Sequence, residues 1–336
     1  LAPSPDAASV SPHPPGADAP DAARPDSSAA TDAEAPAIAV GVSFDAARFE
    51  LAEGLALRDG NAYVSLAPLG RIVKVTPSGT VSDYASVPPG FNDGYTLGLA
   101  FDAQGALFAA QTRNSPTAAV VPGIYKIPST TDGGLVGAPF ATDPGMTFPN
   151  GIAVDAQSNL LVTDSASGIV FRVTPAGAVT HWKEGAELSG SPACPGPLPF
   201  PIGANGIART ADAVFVTNTA KGSIVRIAVA PDGSAGALTT VVADCKYLGL
   251  DGLAVDADGS LIVAQNGAPG RLLRVTNAGA VSVLHDGAPL DGPGSVVIAN
   301  AWKGRRTALV TSTAFFSVGV DGGAPKPGLL ELAPLP

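Results

Sequence analysis

The sequence predicts an all-β fold, a six-bladed β-propeller of four-stranded blades whose ring is closed by an N-terminal strand. Three observations predict it. One short motif recurs: EGLAL (53–57), LGLAF (97–101), NGIAV (150–154), NGIAR (205–209) and DGLAV (251–255), with PGSVVI (293–298) as a looser sixth copy. From Gly54 to Gly294 the motif glycines have a mean spacing of 48 residues, the length of a propeller blade. Each motif is followed by the same succession of short apolar runs and Gly/Asp turns, and no segment sustains a 3.6-residue period.

The elements follow in order within each repeat. The motif is the innermost strand. A polar turn comes next (RDGN at 58, DAQG at 102, DAQSN at 155, DADG at 256). A second strand follows (AYVSL, LFAAQ, LLVTD, VFVTN, LIVAQ), then a third with basic residues set between apolar ones (RIVKVT, GIYKIP, IVFRVT, IVRIAV, LLRVT). A tight turn (PSGT at 77, PAGA at 175, PDGS at 231, NAGA at 277) leads to an outermost strand (VSDYAS, AVTHWKE, LTTVVA, VSVLHD). The last repeat offers only 294–299, 308–314 and 328–334. Its fourth strand is expected from residues 38–50, a strand exchange that leaves no free edge.

Composition narrows the function classes. The chain has 336 residues, is 46% hydrophobic and 14% charged, and carries a net charge of −10. An acidic chain lacks the basic footprint that nucleic acid requires and the polybasic patch of an anionic membrane surface. No run of 18 apolar residues offers a transmembrane helix. Residues 1–37 form a separate segment in which six acids (Asp6, Asp18, Asp21, Asp26, Asp32, Glu34) face one Arg (Arg24) and no aromatic occurs. Such a segment buries too little apolar area to offset its ordering entropy. It is expected to be a disordered Ala/Pro/Asp-rich spacer tethering a propeller of residues 38–336. Together with the cysteine pair it suggests an exported chain: periplasmic, extracellular or held at the cell surface.

In such a repeat the turns joining second to third strand, and outermost to next innermost, share one face. Three of these are long (85–96, 134–149 and 183–204), and long loops on a rigid scaffold carry sites. The residue before each motif glycine lies on that face, at the channel mouth. Around the ring these are Glu53, Leu97, Asn150, Asn205, Asp251 and Pro293. A lone Asn-Gly or Asp-Gly is a turn signal. Four oxygen donors in one register of six repeats converge on one point, and two carboxylates with two amides suit one hard divalent cation. Ca2+ comes first, with Mg2+, Mn2+ and Zn2+ as alternatives; the lack of His and Cys argues against zinc.

At these residues the chain resembles the SMP-30/gluconolactonase/LRE-like family, relatives of the paraoxonases. RFELAEGLAL (48–57) resembles its opening segment, and FPNGIAVD (148–155), ANGIAR (204–209) and LDGLAVDADGSLIVA (250–264) resemble later blades. The resemblance covers residues 44–336. It implies that Glu53, Asn150, Asn205 and Asp251 are metal ligands and that the chain is a metal-dependent hydrolase of lactones or related esters. Two departures matter. Phe148 stands where gluconolactonase-type members carry an Arg for a sugar lactone, and Leu97 stands where a paraoxonase-like His would lie.

Under this reading Asp251 is also the candidate general base. Phe148, Arg113, Phe200, Phe315 and Phe316 are candidates to wall a pocket for a moderately apolar small-molecule substrate. His13 lies in the tail, and His181 and His285 lie near the ends of outermost strands, so no Ser-His-Asp or Cys-His system is expected. Asp164, Asn218 and Asn266 follow second strands on the same face and read first as turn caps. Cys194 and Cys245, in loops leading into adjacent blades, are a candidate disulfide. A monomer is expected. The competing reading is a non-catalytic ligand- or protein-binding propeller with a structural ion.

Overall fold

The computed structural model describes residues 36–88, 93–115, 117–129, 134–190, 194, 201–267, 269–318 and 324–335. The expected spacer, residues 1–37, lies outside the described residues except for Pro36 and Ala37, and Ala37 opens the strand Ala37–Ser43; the candidate Phe200 also lies outside them.

Six antiparallel sheets follow one another along the chain. Blade 1 comprises Ala52–Arg58, Asn61–Leu66, Arg71–Val75 and Val81–Ser86. Blade 2 has Thr96–Phe101, Leu107–Gln111 and Gly123–Ile127, with an isolated bridge from Ile124 to Ala141 where an outermost strand would run. Blade 3 is built from Pro149–Val154, Leu160–Asp164, Ile169–Val173 and Val179–Glu184. Blade 4 consists of Ala204–Arg209, Ala213–Asn218, Ser223–Val229 and Ala235–Ala243. Leu250–Val255, Leu261–Gln265, Arg271–Val275 and Val281–Asp286 make blade 5. Blade 6 holds Pro293–Trp302, Arg305–Ser312 and Gly328–Ala333, and its outermost strand is Ala37–Ser43, paired antiparallel to Gly328–Ala333. Each innermost strand packs on the next, and the sixth returns to the first. The N-terminal strand thus ties the two ends of the ring together and covers an edge.

The strand sequences follow from this placement. A second strand is sandwiched between neighbouring blades, so both its faces are covered, and all five residues of Leu160–Asp164 are buried. The outermost strand Val179–Glu184 has no fully buried residue, which permits the polar sequence VTHWKE. The core is divided into six apolar clusters, one per blade interface; Phe108, Met146, Leu160 and Phe171 meet between blades 2 and 3.

The ladder between innermost and second strand breaks in every blade at the motif. In blade 1 the register shifts between Ala52 and Leu55, in blade 4 between Ala204 and Ile207, and in blade 5 between Leu250 and Leu253. A bulge re-aims the residues it skips. In blades 1, 3, 4 and 5 the skipped pair is the donor and its glycine; in blade 2 it is Leu97–Gly98 and in blade 6 Gly294–Ser295. The glycine is required by close approach: a Cβ on Gly206 would fall 2.3 Å from the Asp251 carbonyl oxygen, and one on Gly98 would fall 2.3 Å from that of Asn150.

Second-strand hydroxyls repair the broken ladder. Ser65 Oγ accepts from Gly54 N–H (2.7 Å) and donates to the Leu97 carbonyl of the next blade (2.9 Å). Thr217 Oγ1 accepts from Gly206 N–H (2.8 Å) and donates to the Asp251 carbonyl (2.6 Å). Thr163 joins Gly151 to the Asn205 carbonyl, and Thr311 joins Ser295 to the Glu53 carbonyl, closing the ring. Blades 2 and 5 carry Ala110 and Ala264 at this register.

Cys194 and Cys245 form a disulfide with a Cα–Cα distance of 5.3 Å. It joins the connection into blade 4 to the short turn Cys245–Tyr247 before blade 5.

Candidate metal centre

The bulges deliver Glu53, Asn150, Asn205 and Asp251 to the channel mouth, each less than a tenth exposed. Leu97 and Gly294 complete the inner ring without donors, so the oxygens come from blades 1, 3, 4 and 5. The sequence placed Pro293 at the sixth position, but Pro293 still pairs with Ser312, the blade 6 bulge skips Gly294 and Ser295, and Ser295 N–H takes the motif glycine's bond to Thr311. Glu53 and Asp251 interact electrostatically although three blades lie between them in sequence. A Cβ on Gly294 would lie 2.4 Å from Glu53 Oε2, so the Glu53 side chain reaches across to blade 6.

The electrostatics are those of two acids confined together. Burial, followed by the charge of Asp251, pushes the Glu53 carboxyl well above the usual carboxylate range. Burial likewise pushes Asp251 up to about 7, against hydrogen bonds from Asn266, Asn205 and the Gly252 N–H that favour its charged form. Glu53 Oε2 is buried and has no hydrogen-bond partner. An orphaned carboxylate oxygen costs free energy unless something positive meets it. Oxygen-only donors are those of a hard cation. The group has two carboxylates and no third: among the described residues no set of three or more His, Cys, Asp or Glu is placed to hold a metal.

In blades 3, 4 and 5 the end of the second strand serves this ring with two consecutive residues. The first ties down the incoming loop. Asp164 accepts from Phe148 N–H (2.6 Å), Asn218 Nδ2 donates to the Glu187 and Ser189 carbonyls (both 3.0 Å), and Gln265 Nε2 donates to those of Lys246 and Leu248 (2.9 and 3.0 Å). The second backs a donor. Ser165 Oγ accepts from Asn150 Nδ2 (3.1 Å), Thr219 Oγ1 accepts from Asn205 Nδ2 (2.9 Å), and Asn266 Nδ2 donates to Asp251 Oδ2 (3.1 Å). Asp164 and Asn218 are therefore the turn caps that sequence suggested. Asn266 lies one residue off that register and touches the site.

The candidate wall residues divide. Phe315 packs against Tyr95, with ring centroids 5.6 Å apart, and so links blade 6 to blade 2 past blade 1, which holds Glu53. Phe316 is 37% exposed on the same loop. Phe148 is half-buried at the entry to blade 3, and the Arg113 N–H bonds to the adjacent Thr147 carbonyl (3.3 Å). His181 packs edge-on to Phe171, and His285 Nε2 pairs with the Ala288 carbonyl; both sit on outermost strands.

No protein-family model matches the chain, and no curated protein matches it in sequence. Solved structures do. A luciferin-regenerating enzyme aligns at a TM-score of 0.60 and 13% identity, over 88% of this chain and 95% of that one. The fold is that of the luciferin-regenerating and gluconolactonase propellers. A gluconolactonase from Xanthomonas campestris aligns at 0.58 with 18% identity, over 88% of this chain and 89% of its own. A calcium-binding regucalcin from Agrobacterium tumefaciens aligns at 0.59 with 15% identity, over 85% and 90%.

Tyr95, Ser165, Thr219 and the contact of Asn266 with Asp251 escaped the sequence reading. For the last three a signal existed: they stand 14 or 15 residues after the donors they touch.

Proposed function

We propose that this chain is a divalent-metal-dependent hydrolase of a lactone or related ester, working at the channel mouth. One observation carries the reading. Glu53 and Asp251 are buried together with Asn150 and Asn205, and Glu53 Oε2 has no partner. Two acids crowded into one buried site oppose each other's charge, and a cation between them offsets both that repulsion and the desolvation. Glu53, Asn150, Asn205 and Asp251 would hold the ion. When bound, a divalent cation polarises a carbonyl oxygen and lowers the pKa of water.

The chain's own side chains do the rest. Asn266 Nδ2 holds the Asp251 carboxylate in place, and Asp251 is the acceptor for the proton lost by the attacking water. Tyr95 and Phe315 make one side of the mouth apolar, and with Phe148 in place of a cation this suits an apolar acyl group better than a polyhydroxylated one. The shared fold with a gluconolactonase supports the reaction class, and that with a calcium-binding regucalcin supports the ion.

The test is hydrolysis of a panel of aliphatic lactones, sugar lactones and aryl esters, followed by proton release with Ca2+ and with excess EDTA. Turnover that stops in EDTA and returns with metal, strongest on the aliphatic lactones and aryl esters, is the expected result. No turnover on any member while the ion is bound would overturn the hydrolase reading in favour of a recognition propeller.

A further inference from the structure

Hydrogen-bond counting around the inner ring leads beyond its four donors. An Asn side chain is ambiguous as a ligand: its carbonyl oxygen attracts a cation, whereas its NH2 group repels one. Which of them faces the channel is decided from behind. Ser165 Oγ donates its only proton to the Ala204 carbonyl of the next blade at 2.8 Å. What it has left for Asn150 is a lone pair. Asn150 must therefore present its NH2 to Ser165, at 3.1 Å, and its Oδ1 is left for the ring.

Blade 4 repeats the arrangement independently. Thr219 Oγ1 donates to the Leu250 carbonyl at 2.7 Å and accepts from Asn205 Nδ2 at 2.9 Å. Blade 5 inverts it, as a carboxylate demands. Asn266 turns its Nδ2 towards Asp251 Oδ2 at 3.1 Å, because the reverse orientation would set oxygen against oxygen. Behind the amides Asn150 and Asn205 the outer residue is an acceptor; behind the Asp251 carboxylate it is a donor; behind Glu53 blade 1 carries Ala67, and Glu53 Oε2 is left without a partner.

We infer that Ser165, Thr219 and Asn266 are positioning residues that fix which atom of Asn150, Asn205 and Asp251 faces the channel mouth, and so set that mouth to take a divalent cation. The inference rests on the metal reading above, and goes beyond it by assigning a job to three residues outside the ligand set. It also accounts for the pairing of residue types in blades 3, 4 and 5, since no hydroxyl stands behind Asp251 and no amide stands behind Asn150 or Asn205.

The experiment is a calorimetric titration of Ca2+ into the EDTA-stripped full chain and into four variants. Ser165→Ala and Thr219→Val remove the acceptor in two separate blades. Ser165→Thr and Thr219→Ser retain it. Residues that orient ligands typically change metal affinity by about 10–100-fold. Ser165→Ala and Thr219→Val are expected to weaken Ca2+ binding within that range, while the two conservative variants stay within about threefold of the parent. Melting curves in EDTA identify any variant that does not fold, and the second blade then supplies the test. Parental affinity in both Ser165→Ala and Thr219→Val would overturn the inference while leaving the metal reading intact. A parent chain that binds no divalent cation would overturn both.

Discussion

The hydroxyl bridges that stitch the bulges together make a quantitative prediction at Thr217. This side chain is fully buried. It accepts from Gly206 N–H at 2.8 Å and donates to the Asp251 carbonyl at 2.6 Å. Thr217→Val keeps the shape and removes both bonds. A buried N–H and a buried C=O then lose their partner, each worth about 1–3 kcal/mol, partly relieved because the carbonyl retains a second lone pair. The expected loss is about 2–4 kcal/mol. Thr217→Ser keeps the hydroxyl and deletes one methyl, which costs about 1 kcal/mol. Urea unfolding followed by circular dichroism measures both, with equal m values required for the comparison. If Thr217→Val unfolds at the parental midpoint, or if Thr217→Ser is the more damaging change, the bridge is not what stabilises the bulge.

Three further outcomes follow from the same structure. Replacing both Cys194 and Cys245 by Ser opens a link between residues 51 positions apart, and the loop-entropy relation gives a loss of about 4 kcal/mol; urea midpoints within the error of the parent would contradict this. Glu53→Gln removes one of two like charges that burial and Asp251 already disfavour, so its melting temperature in EDTA should exceed the parent's, and a lower value would contradict the crowding described at the mouth. For Asp155, burial favours the neutral form, but bonds from Asn159 and Gln157 and the charge of Arg172 outweigh it and hold the carboxyl below the usual range. A depressed folded-state pKa stabilises above the unfolded value and loses that contribution as pH falls through the folded one. Asp155→Asn should therefore cost about 1–3 kcal/mol at pH 7, with the gap to the parent closing below about pH 4; a gap independent of pH would refute the assignment.

Much of the architecture is legible in the sequence because a propeller writes its fold several times over. The motif glycines are readable since a Cβ on Gly98 or Gly206 would strike the next blade's carbonyl oxygen. The same symmetry makes Glu53, Asn150, Asn205 and Asp251 one register. The exchange of an N-terminal strand into blade 6 is readable from the missing fourth strand of the last repeat, although the strand is Ala37–Ser43 rather than the whole of 38–50, where Ala46–Arg48 forms a short turn. What is not legible depends on contacts across blades. The Tyr95–Phe315 pair joins residues 220 positions apart in sequence and belongs to no repeat pattern. Asn266 resembles Asp164 and Asn218 in type, yet its place one residue later in the strand end sends it to Asp251 and leaves loop anchoring to Gln265. The bulges carry no composition signal apart from the glycine itself. They emerge only when the register of Ala52–Leu55 and its counterparts is set against the neighbouring strand.

The most direct test of the whole account is the stoichiometry of cation binding. Ca2+ titrated calorimetrically into EDTA-stripped chain should saturate at one ion per molecule, and Glu53→Gln and Asp251→Asn should each abolish or strongly weaken that binding. No binding by the parent chain, or unchanged binding by both variants, would contradict a metal centre built on these carboxylates.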